Sequence, residues 1–258
     1  MANPEDHRLA RELADASGSL LLDLRRRLAA DGAGAGQIRD EGDRRSHDLL
    51  VERLSAARPD DAVLSEEARE DERTDGARLT APRVWIVDPL DGTREYGEDR
   101  EDWAVHVALV EDGRPTAGAV ALPALGPTLA TDDPPTVPPA PARLRVVVSR
   151  TRPPVEALAI ARAMDADLVE MGSAGAKAMA IVRGVADVYP HSGGQYEWDS
   201  CAPVAVAAAA GLHCSRLDGS PLRYNREDPY LPDLLICRPE HAAAAIAAAA
   251  ATGTGTHA

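Results

Sequence analysis

Phenylalanine is absent from this 258-residue sequence, and other aromatic side chains are few. Three tryptophans and five tyrosines leave little choice of residues that could stack on a planar ligand. The candidates for such stacking are Tyr96, Tyr196 and Tyr224.

Cysteine is scarce as well, and its positions exclude a disulfide framework. Cys201, Cys214 and Cys237 are far apart and make no Cys-x-x-Cys pair, which is typical of a reducing compartment. No histidine or cysteine falls at the spacing of zinc ligands, so the histidines are expected to pack or to form hydrogen bonds. Of the seven histidines, His47, His106 and His191 are the ones considered as ligands, and His191 is a candidate to line a pocket.

Positive charge is in short supply. The 28 basic residues are outnumbered by 42 acidic ones, and the formal net charge is −14. A general nucleic-acid binder needs a basic surface, so that class of protein is excluded. No apolar run reaches the ~20 residues of a membrane span, and the first residues have no signal-peptide pattern. We therefore expect a cytoplasmic protein with neither a membrane nor a nucleic-acid polymer as partner.

Apolar residues are plentiful enough, at 45%, for one large or two modest domains. Spacings of three and four between leucines predict an amphipathic helix over residues 8–30, and a second helix is expected over 43–57. Residues 68–82 are polar and predict a loop. An Asp-Gly hairpin signal at 112–113 joins two predicted strands. The strands predicted in this half are 62–64, 85–87, 103–110 (buried on both faces) and 116–122.

A proline-rich segment at 132–143 is the best candidate for a domain boundary. Beyond it, strands and helices alternate, which is typical of an α/β domain. We therefore predict an α+β domain over residues 1–140 and an α/β domain over 141–258. The strands expected in the second half are 144–148, 167–171, 185–189 and 233–237, and the helices are 154–164, 174–184, 199–211 and 239–251.

The stretch Trp85–Thr93, WIVDPLDGT, is the strongest signal of a functional site. An apolar strand stops at Asp88-Pro89, because proline cannot donate to a sheet and holds the preceding residue extended. Asp88 and Asp91 then flank one tight turn, where two carboxylates repel each other unless a cation lies between them. Carboxylate and carbonyl oxygens suit Mg²⁺. The alternative is an ordinary turn with an aspartate cap for the next helix.

Two more acidic clusters accompany this turn. Glu66-Glu67 ends a short strand, and Asp199 lies in Glu197-Trp198-Asp199 after a glycine-containing loop. Taken singly, the glutamates could be a solvated pair and Asp199 a helix N-cap.

Together, LSEE at 64–67, WIVDPLDGT and WDSCAP at 198–203 resemble the inositol monophosphatase superfamily of metal-dependent, lithium-sensitive phosphatases. DPLDGTREY and RLDGSPLRYN at 216–225 resemble its 3′(2′),5′-bisphosphate nucleotidase branch. The resemblance implies a layered αβαβα sandwich and a homodimer. It also implies hydrolysis of the 3′-phosphate from 3′-phosphoadenosine 5′-phosphate, a small anionic nucleotide, in sulfur assimilation.

The resemblance further implies two or three Mg²⁺ ions per site. Glu66, Asp88 and the carbonyl of Leu90 would hold one ion, while Asp88, Asp91 and Asp199 would hold a second. Such ligand sets agree with the oxygen coordination that Mg²⁺ prefers.

Thr93 and Asp43 are the catalytic pair that the resemblance implies, with the threonine hydroxyl positioning the attacking water. The family usually has a Thr-Ala-Asp-like string before this acid, but this chain has extra acids at Asp40 and Glu41. These could support a third metal or simply face solvent.

Substrate contacts are expected at the turn and at a loop between a strand and a helix. Lys177, one helical turn beyond that loop, could meet a second phosphate or could be an ordinary surface lysine. The full set of expected substrate-binding residues is Glu66, Leu90, Gly92, Thr93, Gly172, Ser173, Lys177 and Asp199.

Two other functions compete with this one. The same chemistry could act on inositol 1-phosphate or fructose 1,6-bisphosphate, because pocket contacts and not the metals set the preference. A non-catalytic nucleotide sensor is the alternative of another class, although it would have no need of a positioned water.

Overall fold

The computed structural model describes residues 1–68 and 76–253. The strands are β1 (Ala62–Ser65), β2 (Arg83–Asp91), β3 (Ala104–Glu111), β4 (Arg114–Ala121), β5 (Leu129–Ala130), β6 (Arg145–Ser149), β7 (Asp167–Met171), β8 (Val188–Tyr196), β9 (His213–Ser215) and β10 (Tyr230–Cys237). The helices are α1 (Pro4–Ala30), α2 (Ala35–Ala57), α3 (Ala77–Thr80), α4 (Thr93–Gly97), α5 (Val155–Ala163), α6 (Ala174–Val182), α7 (Glu197–Ala209) and α8 (Ala242–Gly253), with a 3-10 turn at Pro239–His241.

These elements form five layers. One five-stranded sheet has the order β1-β2-β3-β4-β5, and the other has the order β7-β6-β8-β10-β9. Helices α1 and α2 cover the outer face of the first sheet, α6 and α7 lie between the sheets, and α5 and α8 cover the second sheet. The predicted αβαβα sandwich is confirmed by this arrangement.

The first sheet is buried on both faces, as the sequence of its central strands predicts. Along β2, Trp85 and Val87 pack against α1 and α2, while Val84 and Ile86 face the middle helices. Strand β3 alternates in the same way and is antiparallel to β2 and β4. A strand with two apolar faces has no solvated side, so its sequence is a continuous apolar run.

Helix α2 begins at Ala35, eight residues before the predicted start at Asp43. Its buried stripe runs at four-residue intervals through Ile38, Gly42, Ser46, Leu50 and Leu54, and the small polar members hide the periodicity. Gly42 is small for a reason, because a Cβ there would lie 2.8 Å from Tyr96 Cε1. Helix α2 therefore packs closely against α4, the short helix that follows the DPLDGT turn.

Other boundaries differ from the expectations because strands continue through glycine. Strand β8 runs from Val188 to Tyr196 and not over 185–189, and it pairs with a β10 that begins at Tyr230 and not at 233. Of the predicted loop 68–82, residues 69–75 lie outside the described part, and Ala77–Thr80 form the short helix α3.

Two findings concern the cysteines and the membrane. The three cysteines, for which no disulfide is expected, are all free. No helix in residues 1–68 and 76–253 is both long and apolar enough to cross a membrane. The first sheet ends at Ala130 and the second begins at Arg145, and the division at residue 140 stays a prediction.

Candidate active site

The turn after β2 directs two carboxylates to one place. The pairing between β2 and β3 shifts register between Asp88 and Asp91, and the Leu90 N–H donates to Asp88 Oδ1 at 3.0 Å. Gly92 has a φ of 86°, a left-handed conformation that favours glycine, and α4 starts at Thr93. The DPLDGT string therefore forms a bulged strand end that turns at once into a helix.

Acids from both halves of the chain meet at this turn. Oxygen atoms of Asp88, Asp91 and Asp199 lie within 4.8 Å of one another. Glu66, at the end of β1, interacts with Asp88. The sequence therefore predicts correctly which distant acids come together, and the fold brings them there from β1, β2 and α7.

The electrostatics of this cluster call for a cation. Burial raises the pKa of Glu66 to about 7 and that of Asp199 to about 8, and neighbouring carboxylates add to both shifts. Burial and the charge of Glu66 also raise the pKa of Asp88. Asp88 Oδ2 is buried and has no hydrogen-bond partner among the described residues. An unpartnered carboxylate oxygen in a ring of acids fits a divalent metal, because hard cations take such oxygens as ligands.

Asp91 differs from its neighbours because donors already surround it. Its carboxylate accepts from Ser173 Oγ at 2.6 Å, the Ala174 N–H at 3.1 Å and the Gly175 N–H at 2.5 Å. Burial raises its pKa, but the contacts with His106, Ser173 and Gly175 outweigh burial and lower the pKa to about 2. The start of α6, in the second half, thus fixes an acid of the first half as an anion.

Asp199 is the third residue of α7 and not its N-cap. The helix begins at Glu197, with Tyr196 as the cap residue, and Asp199 Oδ2 accepts from the Tyr196 N–H at 2.6 Å. This hydrogen bond holds the Asp199 side chain at the start of α7, where its carboxylate lies among the acids of β2.

Thr93 and Asp43 lie together, as the resemblance implies. Thr93 Oγ1 is 3.3 Å from Asp43 Oδ1 and 3.0 Å from the Leu90 carbonyl oxygen, either of which can accept a hydrogen bond from the hydroxyl. Burial, and then the charge of Glu67, raises the pKa of Asp43 to about 7. A carboxyl group poised near neutral pH is suited to accept a proton.

The extra acids beside Asp43 face outward. Glu41 accepts from Arg44 Nη2 at 2.7 Å and from Arg45 Nε at 3.3 Å, and Asp40 is exposed. The solvent-facing alternative is therefore favoured over a third metal held by these two residues.

A cavity of about 460 Å³ opens beside the acids and is lined by residues from both halves. Its size is that of a small-ligand site. Of the expected substrate contacts, Glu66, Gly92, Thr93, Gly172, Ser173, Lys177 and Asp199 line the cavity. Leu90, which does not line it, is buried and offers only its backbone.

Lys177, the only lysine in the sequence, is not a surface residue. Its side chain is buried, and Nζ donates to the carbonyls of Gly172 and Ser173. Burial lowers its pKa. Lys177 therefore holds the backbone of the loop before α6 through two hydrogen bonds. One of its three N–H groups is not used in these bonds.

Sequence reasoning missed several residues of the cavity wall. Arg94, Arg150, Arg152 and Gln195 line it, together with the expected His191. The arginines belong to polar segments whose position near the acids depends on long-range packing. The only sequence signal is the basic residue that follows the DPLDGT motif.

The three tyrosines that were candidates for stacking differ in their exposure to solvent. Tyr96 and Tyr224 are buried, and the Tyr96 hydroxyl donates to the Leu21 carbonyl at 2.8 Å, so neither ring is available to a ligand. Tyr196 is exposed, and its ring stacks on Trp198 with centroids 4.9 Å apart.

The similarity of this chain to known proteins agrees with the metal-binding geometry of the site. The chain matches the inositol monophosphatase family over residues 5–254. It belongs to this family.

Within the family, the chain is 51% identical over 251 residues to a 3′-phosphoadenosine 5′-phosphate phosphatase of Mycobacterium leprae, covering 92% of this chain and 90% of that one. It is 32% identical over 199 residues to the 3′(2′),5′-bisphosphate nucleotidase CysQ of Escherichia coli K12, covering 72% and 79%. The crystal structure of CysQ from Bacteroides thetaiotaomicron superposes with a TM-score of 0.75 at 25% identity, covering 91% and 97%. The family consists of metal-dependent phosphatases, and the cluster of Asp88, Asp91 and Asp199 in this chain agrees with that activity.

Proposed function

We propose that this protein is a Mg²⁺-dependent phosphatase that removes the 3′-phosphate of 3′-phosphoadenosine 5′-phosphate. The products are AMP and phosphate, and the reaction serves sulfur assimilation. The observation that carries the proposal is the convergence of Asp88, Asp91 and Asp199, from both halves, beside a ligand-sized cavity. The 51% identical relative supports the choice of substrate.

The acids divide into two ligand sets. Glu66, Asp88 and the Leu90 carbonyl would hold one Mg²⁺, and Asp88, Asp91 and Asp199 would hold another, with Asp88 shared. When bound, the ions supply positive charge to the phosphate oxygens and make a bound water more acidic. The orphaned Asp88 Oδ2 supports a ligand role for this residue.

The protein's own groups orient the attack. A water held by Thr93 Oγ1 would face the phosphorus, and its proton would pass through the threonine hydroxyl to Asp43. The new P–O bond forms as the bond to O3′ breaks, and the departing oxygen takes up a proton from solvent water to become the ribose hydroxyl, while Asp43 later returns its proton to solvent. The N–H groups of Gly92 and Thr93, at the turn, would donate to the phosphate oxygens.

The rival substrates and the sensor hypothesis are separated by one set of assays. We expect kcat/KM with Mg²⁺ to be at least tenfold higher for 3′-phosphoadenosine 5′-phosphate than for inositol 1-phosphate or fructose 1,6-bisphosphate, with inhibition by Li⁺. A higher value for either rival would overturn the proposed substrate. Nucleotide binding without phosphate release would instead support the sensor, in which the Thr93–Asp43 pair has no purpose.

The same proposal includes a cytoplasmic homodimer and a division of the chain into two domains at residue 140. Sedimentation equilibrium should give twice the chain mass of 27.2 kDa. A monomer at micromolar concentration would contradict the dimer and would leave the chemistry intact.

A further inference from the structure

Three arginines line the same cavity as the metal-binding acids: Arg94, Arg150 and Arg152. Their concentration is unusual, because the whole chain has a net charge of −14. Under the proposed function, the phosphate that is hydrolysed would lie against the acids, where bound cations would neutralise it. The arginines therefore need another explanation.

Arg150 is already neutralised. Its guanidinium lies 2.7 Å from Glu95 Oε1, with a 2.8 Å hydrogen bond from Nε, and 2.7 Å from Glu98 Oε2. These carboxylates come from α4 and the residue that follows it, whereas Arg150 follows β6 in the second half. Arg150 is thus a structural cation that joins the two halves at the cavity wall.

Arg94 and Arg152 are different. Both side chains are exposed, and neither guanidinium has an ion pair or a hydrogen bond within the described residues. Each keeps five N–H donors in a planar fork, the geometry that suits a phosphate. Arg152 also acts on the cavity wall, since burial, then Lys177 and finally Arg152 lower the pKa of His191 to about 4.

The Glu95–Arg150 ion pair joins the two segments that carry these arginines, and both arginines line the one cavity. Glu95 directly follows Arg94, and Arg150 stands two residues before Arg152, so one bridge fixes both backbones. Glu95 is further held by Gly172, where a Cβ would lie 2.3 Å from Glu95 Cδ. The wall is therefore preorganised, which lowers the entropic cost of binding an anion there.

We propose that Arg94 and Arg152 form a subsite for a second phosphate, the 5′-phosphate of the nucleotide. This subsite makes the enzyme select nucleoside bisphosphates over nucleoside monophosphates. The inference rests on the proposed function. Lys177, expected from the sequence to meet a second phosphate, has two of its three donors committed to carbonyls and is the weaker candidate.

The test compares adenosine 3′,5′-bisphosphate with adenosine 3′-monophosphate, which lacks only the second phosphate. We expect Arg94→Gln and Arg152→Gln each to lower the ratio of kcat/KM for the bisphosphate to kcat/KM for the monophosphate about tenfold, chiefly by raising KM for the bisphosphate. A tenfold change corresponds to the free energy of about one charge-assisted hydrogen bond. Arg162→Gln, an exposed arginine of α5 outside the cavity, is the matched control and should leave the ratio unchanged.

Equal losses on both substrates in the two variants would overturn the subsite, as would an effect of the same size in the control. If the wild-type enzyme fails to hydrolyse the bisphosphate, the proposed function fails first. Calorimetry with AMP and adenosine then decides the subsite without turnover. Tighter binding of AMP that disappears in the double variant supports it, and equal binding of AMP and adenosine by the wild type overturns it.

Discussion

His106 Nε2 lies 3.3 Å from Asp91 Oδ2, while Nδ1 of the same ring lies 2.9 Å from the carbonyl oxygen of Trp198. The ring is fully buried on β3. It is hydrogen-bonded to the first turn of α7, which carries Asp199, while Nε2 lies beside Asp91 and makes no hydrogen bond among the described residues. One histidine thus bears on the positions of ligands from both halves of the site.

Two substitutions separate the roles of the two ring nitrogens. His106→Asn keeps a donor near Trp198 but removes the group that faces Asp91, so we expect metal affinity to fall about tenfold or more, as for other residues that orient ligands. His106→Gln keeps a donor near Asp91 and should retain more of the affinity. Binding of Mn²⁺ followed by electron paramagnetic resonance measures this directly. Wild-type affinity in the asparagine variant would show that His106 only fills space.

Gly175 permits the approach of His106 to the start of α6. A Cβ at this position would lie 2.0 Å from His106 Nε2 and 3.1 Å from Ala104 Cβ. We expect Gly175→Ala to destabilise the fold by about 2 kcal/mol, the cost of overpacking a rigid interior, and to reduce metal binding. Urea denaturation measures the first effect.

Gly36→Ala serves as the control for this substitution. Gly36 lies in α2 with only Arg39 Nη2 near, at 4.0 Å, so alanine should be neutral or stabilising by up to about 1 kcal/mol. If both variants have the same midpoint of urea denaturation as the wild type, the close packing of Gly175 does not contribute to stability.

The sequence predicted the acids of the site well, because their chemistry is local. Asp88 and Asp91 share one turn, and their charge repulsion is evident without a structure. The α+β and α/β characters of the two halves followed from the pattern of predicted elements, and the five-layer architecture followed from the family resemblance. The distant partners of these acids were identified through the resemblance and not through spacing.

What the sequence could not predict depends on packing between distant segments. Arg150 lies at the site because β6 brings it there, and its ion pair with Glu95 joins two halves of the chain that are distant in sequence. Lys177 lies within α6, a helix whose residues are all buried, and no local pattern reveals such burial for a charged side chain. The early start of α2 was hidden because Gly42 and Ser46 take core positions that periodicity assigns to larger residues.

The Thr93 hydroxyl is expected to act on kcat. Thr93→Val removes the hydroxyl at nearly constant volume and should lower kcat about 10²-fold or more, the usual scale of a positioned proton-transfer group. Thr93→Ser keeps the hydroxyl and should retain most of kcat. Steady-state kinetics at saturating Mg²⁺ checks both variants. A valine variant with nearly full kcat would remove Thr93 from the reaction.

Asp6 provides a pH-dependent contribution to stability far from the site. Its buried carboxylate accepts from Arg58 Nε and Arg83 Nη2, each at 2.9 Å, and from the Asn3 N–H at 3.0 Å. Burial raises its pKa, but these hydrogen bonds outweigh burial and hold the pKa below the usual 3.8. The stabilisation is therefore present above about pH 4 and is lost as pH falls through the folded-state pKa.

We accordingly expect Asp6→Asn to cost about 3 kcal/mol at pH 7, because two arginines lose a buried partner. The difference from wild type should shrink below pH 4 in urea denaturation. Asp23→Asn removes only an exposed pair with Arg26 and should cost less than about 0.5 kcal/mol. A cost for Asp6→Asn that stays constant down to pH 3 would contradict the charged interaction.

We propose that acids from both halves of the chain hold the metals that this phosphatase needs. The most direct test of this proposal is Mg²⁺-dependent phosphate release from 3′-phosphoadenosine 5′-phosphate by Asp91→Asn and Asp199→Asn, with circular dichroism to verify folding. We predict that both variants fold and that each loses about 10³-fold or more in kcat/KM, the equivalent of several kcal/mol of transition-state stabilisation. A folded variant of either residue within tenfold of wild-type activity would contradict the account.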